Sequence, residues 1–208
     1  GKLYQESFDY EFTQDLKKLT YNFDDKFYNE LEIILKHVKV IIISGGEPFI
    51  NDDFYNFLKW LIDKKYSKSL DIFVFSNLTK LPKNYKFFYD KFKSFTINVS
   101  IDGTYEKDEY IRRGTVFEEK HKNIIQLLKY FNMNFCVTMS ILNVGYQYEI
   151  TKYCSQFKKS PSFFNVLVEP FYLQINNLPL DIISLYRKRN QNHRLYYSKL
   201  KDINHFKL

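Results

Sequence analysis

The 208-residue sequence contains no alanine, only 6 glycines and 5 prolines, and 2 cysteines. Two cysteines, Cys136 and Cys154, cannot build a disulfide framework, so a reducing, cytoplasmic compartment is the expectation. Scarce glycine and proline exclude collagen-like and linker classes. The longest apolar runs, such as Val40 to Ile43 and Phe73 to Phe75, fall far short of the roughly 20 residues of a membrane-spanning helix, and no membrane partner is expected. No G-x-G-x-x-G or Walker loop and no G-x-S-x-G elbow is present, which disfavours dinucleotide, nucleoside triphosphate and hydrolytic sites. His37, His121, His193 and His205 are scattered without metal-ligand spacing, and no metal ligand is assigned in this chain.

What remains is 45% hydrophobic, 19% aromatic and 26% charged, enough apolar material for a folded core. Lys, Asn, Ile, Phe and Tyr take the place of alanine, as under AT-rich coding. The net charge of +7 is therefore weak evidence for a nucleic-acid partner. A basic, aromatic single-strand binder is kept as the least favoured reading. The sequence starts at Gly1 without an initiator Met or a secretory signal, and the expectation is a piece of a longer protein.

Helical spacing over 25–37 is followed by an apolar, β-branched run over 38–44, and the alternation then repeats. Helices are expected at 52–66, 82–93, 117–131, 146–157 and 180–200, and strands at 70–75, 95–101, 134–141 and 164–168. Strands separated by helices imply parallel pairing, so the class is α/β. The choice lies between a doubly wound sheet and a (β/α) barrel, and an incomplete TIM-like barrel is favoured. The domain expectation is a barrel core over 1–175 and a helical extension over 176–208.

Gly45, Gly46, Gly103 and Gly145 each follow closely on a strand end, where a backbone needing positive φ or close ligand approach would keep them; plain turn formation is the alternative. Glu47, Ser76, Asn77, Ser100, Asp102, Asn143 and Glu169 gather at the same edge, where parallel α/β folds bind ligands. Only five of the 31 basic residues are Arg, and before residue 187 the only two are Arg112 and Arg113. A planar fork suits a carboxylate; the alternative is a structural pair with Asp108 or Glu109.

Ile43-Ser44-Gly45-Gly46-Glu47-Pro48 resembles the GGEP motif of radical S-adenosylmethionine (SAM) enzymes, and Val99-Ser100-Ile101-Asp102-Gly103 resembles their SIDG strand. Glu109-Tyr110-Ile111-Arg112-Arg113-Gly114 with Asn123-Ile124, Thr138 to Asn143, and Pro170 to Pro179 are similar to the subgroup that carries a twitch extension. The resemblance implies a partial (β/α) barrel with SAM across its carboxyl strand ends, donating its amino and carboxylate groups to a [4Fe-4S] cluster. Gly45, Gly46, Glu47 and Pro48 would then surround the methionyl amino group. Ser100 and Arg112 would bind ribose hydroxyls and the carboxylate, with Asp102 in the same strand-end motif. Ser76 and Asn77 would lie beside the ribose, and Asn143 with Val144 near the adenine. The implied reaction is reductive cleavage of SAM to a 5′-deoxyadenosyl radical, which needs an external electron donor and abstracts hydrogen from an unidentified substrate, a peptide at family level.

The family's C-x-x-x-C-x-x-C loop is absent from this sequence, and Cys136 and Cys154 read as small buried hydrophobes. The loop is expected upstream of Gly1, and the chain alone is expected to be inert. The rival from another class is a degenerate, non-catalytic binding or scaffold domain. Ser76-Asn77-Leu78-Thr79 stands where relatives have Asn-Gly-Thr, which puts close backbone approach at that loop in question.

Overall fold

The computed structural model describes residues 24–158 and 161–190, with backbone only at 161–164 and 187–190. The chain divides into two compact units, Gly1–Lys39 and Val40–Leu208. In the first, helix α1 (Asp25–Leu35) starts at Asp24, whose carboxylate accepts the Phe27 N–H at 2.9 Å and so satisfies one of the free donors of the first turn.

The second unit carries strands β1 (Val40–Ile43), β2 (Asp71–Ser76), β3 (Ser94–Ser100), β4 (Asn132–Met139) and β5 (Pro161–Val166). Between and after them lie helices α2 (Asp52–Asp63), α3 (Tyr85–Phe88), α4 (Glu106–Ile111), α5 (Phe117–Leu127), α6 (Gln147–Ser155) and α7 (Leu180–Asn190). All neighbouring strands pair in parallel, in the order β1-β2-β3-β4-β5. A doubly wound sheet reverses its order at a switch point. This one does not, and the five strands form a curled half-barrel, the incomplete TIM-like architecture expected from the sequence.

Register assigns the two faces. Ile72, Val74, Ile97, Val99, Met133, Phe135 and Val137 share one face and are fully buried. Phe135 meets Tyr153 and Phe157 there, the first at 6.4 Å between ring centroids, so this is the face covered by helices. The opposite face is more polar: Thr96 and Asn98 are buried on it, and the Asn134 amide donates to Asn98 Oδ1 at 3.0 Å. Burying those amides without partners would cost a few kcal/mol each, and the mutual bond removes that penalty. A register shift between Phe135 and Cys136 interrupts the β4–β5 ladder.

The elements depart from the sequence expectation most at three places. Only Tyr85–Phe88 of 82–93 is α-helical, entered from Asn84 at φ +49. Strand β5 lies at 161–166 rather than 164–168. Helix α4 was not expected at all. Of the helix expected at 180–200, residues beyond 190 lie outside the described residues, as do His193, Arg194 and His205. No helix among the described residues is long and apolar enough to cross a membrane.

Candidate functional site

At the end of β1 the chain turns through Gly45 (φ +96) and Gly46 (φ +54), backbone angles that an L side chain would strain. The turn returns Glu47 toward β2. Its Oε1 accepts the Ser76 hydroxyl at 2.6 Å and its Oε2 accepts the Asn77 N–H at 2.8 Å. A carboxylate has about four acceptor positions. Counting a long contact from the Phe49 N–H at 3.4 Å, three are filled, and no ion pair reaches Glu47 among the described residues. Pro48 is buried in the short turn that follows. A second tie joins the same two loops: the Tyr55 hydroxyl donates to the Phe49 carbonyl and accepts the Lys83 N–H, at 2.9 and 2.8 Å.

After β2, Ser76 is buried, and its oxygen also accepts the Leu78 N–H at 2.9 Å. Leu78 takes φ +52, the left-handed angle that glycine adopts freely, while its side chain is fully buried. The backbone path of a glycine is therefore retained without one. The Asn123 amide from α5 braces it by donating to the Leu78 carbonyl at 2.8 Å.

Asn77 faces the loop after β3, where its Oδ1 accepts Arg112 Nη1 at 2.6 Å. Arg112 Nη2 meets Asp102 Oδ2 at 2.8 Å. Asp102 Oδ1 accepts the Thr138 N–H at 2.7 Å. Burial pushes the Asp102 carboxyl above its ordinary value, with Arg112 and the Thr138 N–H opposing. Arg112 does not pair with Asp108 or Glu109: Asp108 is taken by Lys120, and Glu109 accepts the Phe117 N–H at the start of α5. The third guanidinium nitrogen, Arg112 Nε, is buried with no hydrogen-bond partner. An unmet buried donor costs about 1–3 kcal/mol, and an acceptor there would remove that cost.

Asn143 is fully buried. Its amide nitrogen donates to the carbonyls of Asp102 and Thr138, at 3.0 and 2.9 Å, and its oxygen accepts the Ser140 N–H at 2.8 Å. Every atom of that side chain able to bond is thereby committed to joining the ends of β3 and β4.

These loops enclose a cleft of about 560 Å³, within the range usual for small-molecule sites. Asn77, Asp102, Arg112 and Thr138 line a polar part, and Leu142, Leu167 and Leu173 an apolar part; exposed Arg113 lies on its wall. Of the residues singled out in the sequence, Asn77, Asp102, Arg112 and Arg113 line the cleft. Glu47 stands one hydrogen bond behind Asn77, and Ser76 bonds Glu47 in turn. Gly45, Gly46 and Pro48 belong to the β1 loop, Ser100 is half-buried at the β3 end, and Asn143 and Val144 are buried behind the lining. Thr138 and Ser140 were noted only as part of a similar stretch; their signal is the polar break that ends an apolar strand. Leu173 was likewise noted only within the Pro170 to Pro179 stretch, and its place in the cleft depends on how the chain returns after β5.

Cys136 and Cys154 offer nothing to a cluster. Burial pushes their thiols up to about 11 and about 12, so both stay neutral where a ligand must be a thiolate. Among the described residues no group of three or more His, Cys, Asp or Glu could hold a metal ion. A [4Fe-4S] cluster therefore does not fit these residues.

No family model and no curated protein matches the chain. Among solved structures it is similar to one described as native anSMEcpe with bound AdoMet and Kp18Cys peptide, with a TM-score of 0.57 and 19% identity. The match covers 74% of this chain and 46% of that one, so the chain spans just under half of its solved neighbour. At this identity the likeness shows the fold alone, an incomplete TIM-like (β/α) barrel.

Proposed function

We propose that the cleft binds S-adenosylmethionine. One relationship supports this reading above the rest: Asn77 bonds Glu47 through its backbone N–H and Arg112 through its side-chain oxygen, so an anion and a cation flank one residue at the rim. A methionyl group is a zwitterion of matching order. Its carboxylate would accept from Arg112 Nε, the donor without a partner, and its ammonium would use the open acceptor position of Glu47 with carbonyls of the Gly45-Gly46 turn. Ser76 and Ser100 would lie toward the ribose. The adenine would rest on the apolar wall of Leu142, Leu167 and Leu173, with Asn143 and Val144 supporting that wall from behind. The solved neighbour carries AdoMet, which agrees with the reading.

Reductive cleavage of SAM, with an external electron donor and a substrate of peptide type, belongs in this proposal to the whole protein. It needs a cluster whose ligands the described residues do not supply, so for this chain the proposal ends at binding. Residues 176–208 are proposed as an extension of the core, of twitch type in the whole protein. The second reading, a non-catalytic SAM-binding or scaffold domain, is favoured by the two buried neutral cysteines. Three cysteines spaced C-x-x-x-C-x-x-C, encoded upstream of Gly1, would decide against it.

Titration calorimetry with SAM tests the site. Arg112→Lys keeps the charge and loses the fork, and Glu47→Gln loses the anion. Each is expected to weaken binding about tenfold or more, the size of one charge-assisted hydrogen bond. Equal affinity in wild type and both variants would overturn the proposal, as would no binding by the folded wild type.

A further inference from the structure

We infer that Lys120 and Asp108, which lie outside the cleft lining, are the positioning residues that set Asp102 and Arg112 for their ligand. This rests on the proposed SAM site and names how that site is held.

Lys120 and Asp108 are completely buried and joined, Nζ to Oδ2, at 2.5 Å. Neither spends its whole bonding capacity on the other. Lys120 Nζ also donates to the Ser100 carbonyl at 3.0 Å, and Asp108 Oδ1 accepts the Asp102 N–H at 2.9 Å. The pair thus grips the backbone on both sides of Ile101, where the β3 ladder ends with Ile101 N–H donating to the Cys136 carbonyl. Beyond that point no strand bond directs the chain: Asn143 holds the Asp102 carbonyl from the β4 side, and Asp108 holds its N–H from the helix side.

Asp108 acts a second time through its own carbonyl, which accepts the Arg112 N–H at 2.7 Å at the end of α4. One residue therefore fixes both partners of the Asp102–Arg112 contact, Asp102 from its side chain and Arg112 from its backbone. Gly103 makes the approach possible, because a Cβ there would lie 2.7 Å from the Asp108 nitrogen. A buried ion pair is often no better for stability than apolar residues of the same size, so stability alone gives little reason for this one. Its bonds to Ser100 and Asp102 do give one: they carry the geometry of the helix layer into the rim.

The decisive variant is Asp108→Leu with Lys120→Met, which replaces the pair by apolar side chains and removes both grips. Two readouts are taken beside the melting temperature: SAM affinity by calorimetry, and the 15N resonance and water exchange of the Arg112 Nε–H, which needs no ligand. The expected result is a folded protein with SAM binding about tenfold or more weaker, the usual loss when a supporting partner is removed, and faster exchange at Arg112 Nε. A folded double variant with unchanged affinity and unchanged Arg112 exchange would overturn the inference. Absence of SAM binding in the wild type would overturn the proposed site alone, since the Arg112 signal still judges the positioning. If the double variant does not fold, Asp108→Asn replaces it, setting a neutral amide against the Lys120 ammonium and loosening the hold on Asp102. It should weaken SAM binding and quicken the exchange at Arg112 Nε; a folded Asp108→Asn protein with both unchanged would overturn the inference.

Discussion

Asp102 and Arg112 meet at 2.8 Å with their side chains only 8% and 21% exposed, and the carboxyl nonetheless sits above its ordinary value. Removal from water outweighs the attraction of the guanidinium and the Thr138 N–H. The contact is thus held by the surrounding frame more than by its own electrostatics.

That balance gives a pH dependence. The folded chain keeps the Asp102 proton to a higher pH than the unfolded chain, whose carboxyl titrates near 3.8. The native state then binds more protons than the unfolded one, and the Asp102 contribution to stability falls as pH rises from 3.8 through the raised value. Asp102→Asn removes the titration. In urea unfolding over a pH series, the wild type should lose stability relative to Asp102→Asn as pH rises through that window. A relative gain would refute it. Arg112→Met should raise the folded value further and extend the fall to higher pH.

The two thiols should be inert in the folded state. At pH 8, iodoacetamide should leave Cys136 and Cys154 unmodified in native protein and alkylate both in denaturant, as read by mass spectrometry, because neither forms appreciable thiolate below about 11 and about 12. Fast alkylation of either in the native protein would contradict their burial.

Gly103→Ala should destabilise the fold by about 1–3 kcal/mol, as overpacking does. The new carbon would lie 2.7 Å from the Asp108 nitrogen and 2.8 Å from the Lys107 carbonyl carbon, backbone atoms that cannot swing aside. Gly145→Ala should cost less, since it meets the Tyr186 ring at 2.6 Å and a side chain can turn away. Urea midpoints at constant slope would measure both, and a reversed order would contradict the packing described.

The α/β class and the strand-end location of the site were legible because they rest on periodicity and on glycine after apolar runs, which are local signals. Helix α4 was not legible. Its sequence, Glu106 to Ile111, is short and mostly polar, and it begins beside Tyr105 at φ +51 with no side-chain cap. The alternative of a structural pair with Asp108 or Glu109 fails for a related reason: it rests on nearness in sequence, whereas the turn over Gly103 brings Asp102 back to the guanidinium. Lys120 carries no distinguishing mark among the charges of Glu118-Glu119-Lys120-His121-Lys122. It shares the buried face of α5 with Phe117, Ile124 and Leu127, and a single lysine within an apolar helical stripe is the signal that would have exposed it. Leu78 was read as an obstacle because sequence gives no φ, and only the backbone shows that leucine follows the glycine path.

Each strand-end loop is fastened to its neighbour. Glu47 joins the first to the second, Arg112 the second to the third, Asp102 the third to the fourth, and the Ile141 N–H bonds the Leu173 carbonyl beyond β5. Such a series leaves no loop free to open by itself. Amide exchange at Asn77, Thr138 and Ile141 should accordingly report one common opening event, and a molecule seated against any one loop would slow exchange along the whole rim.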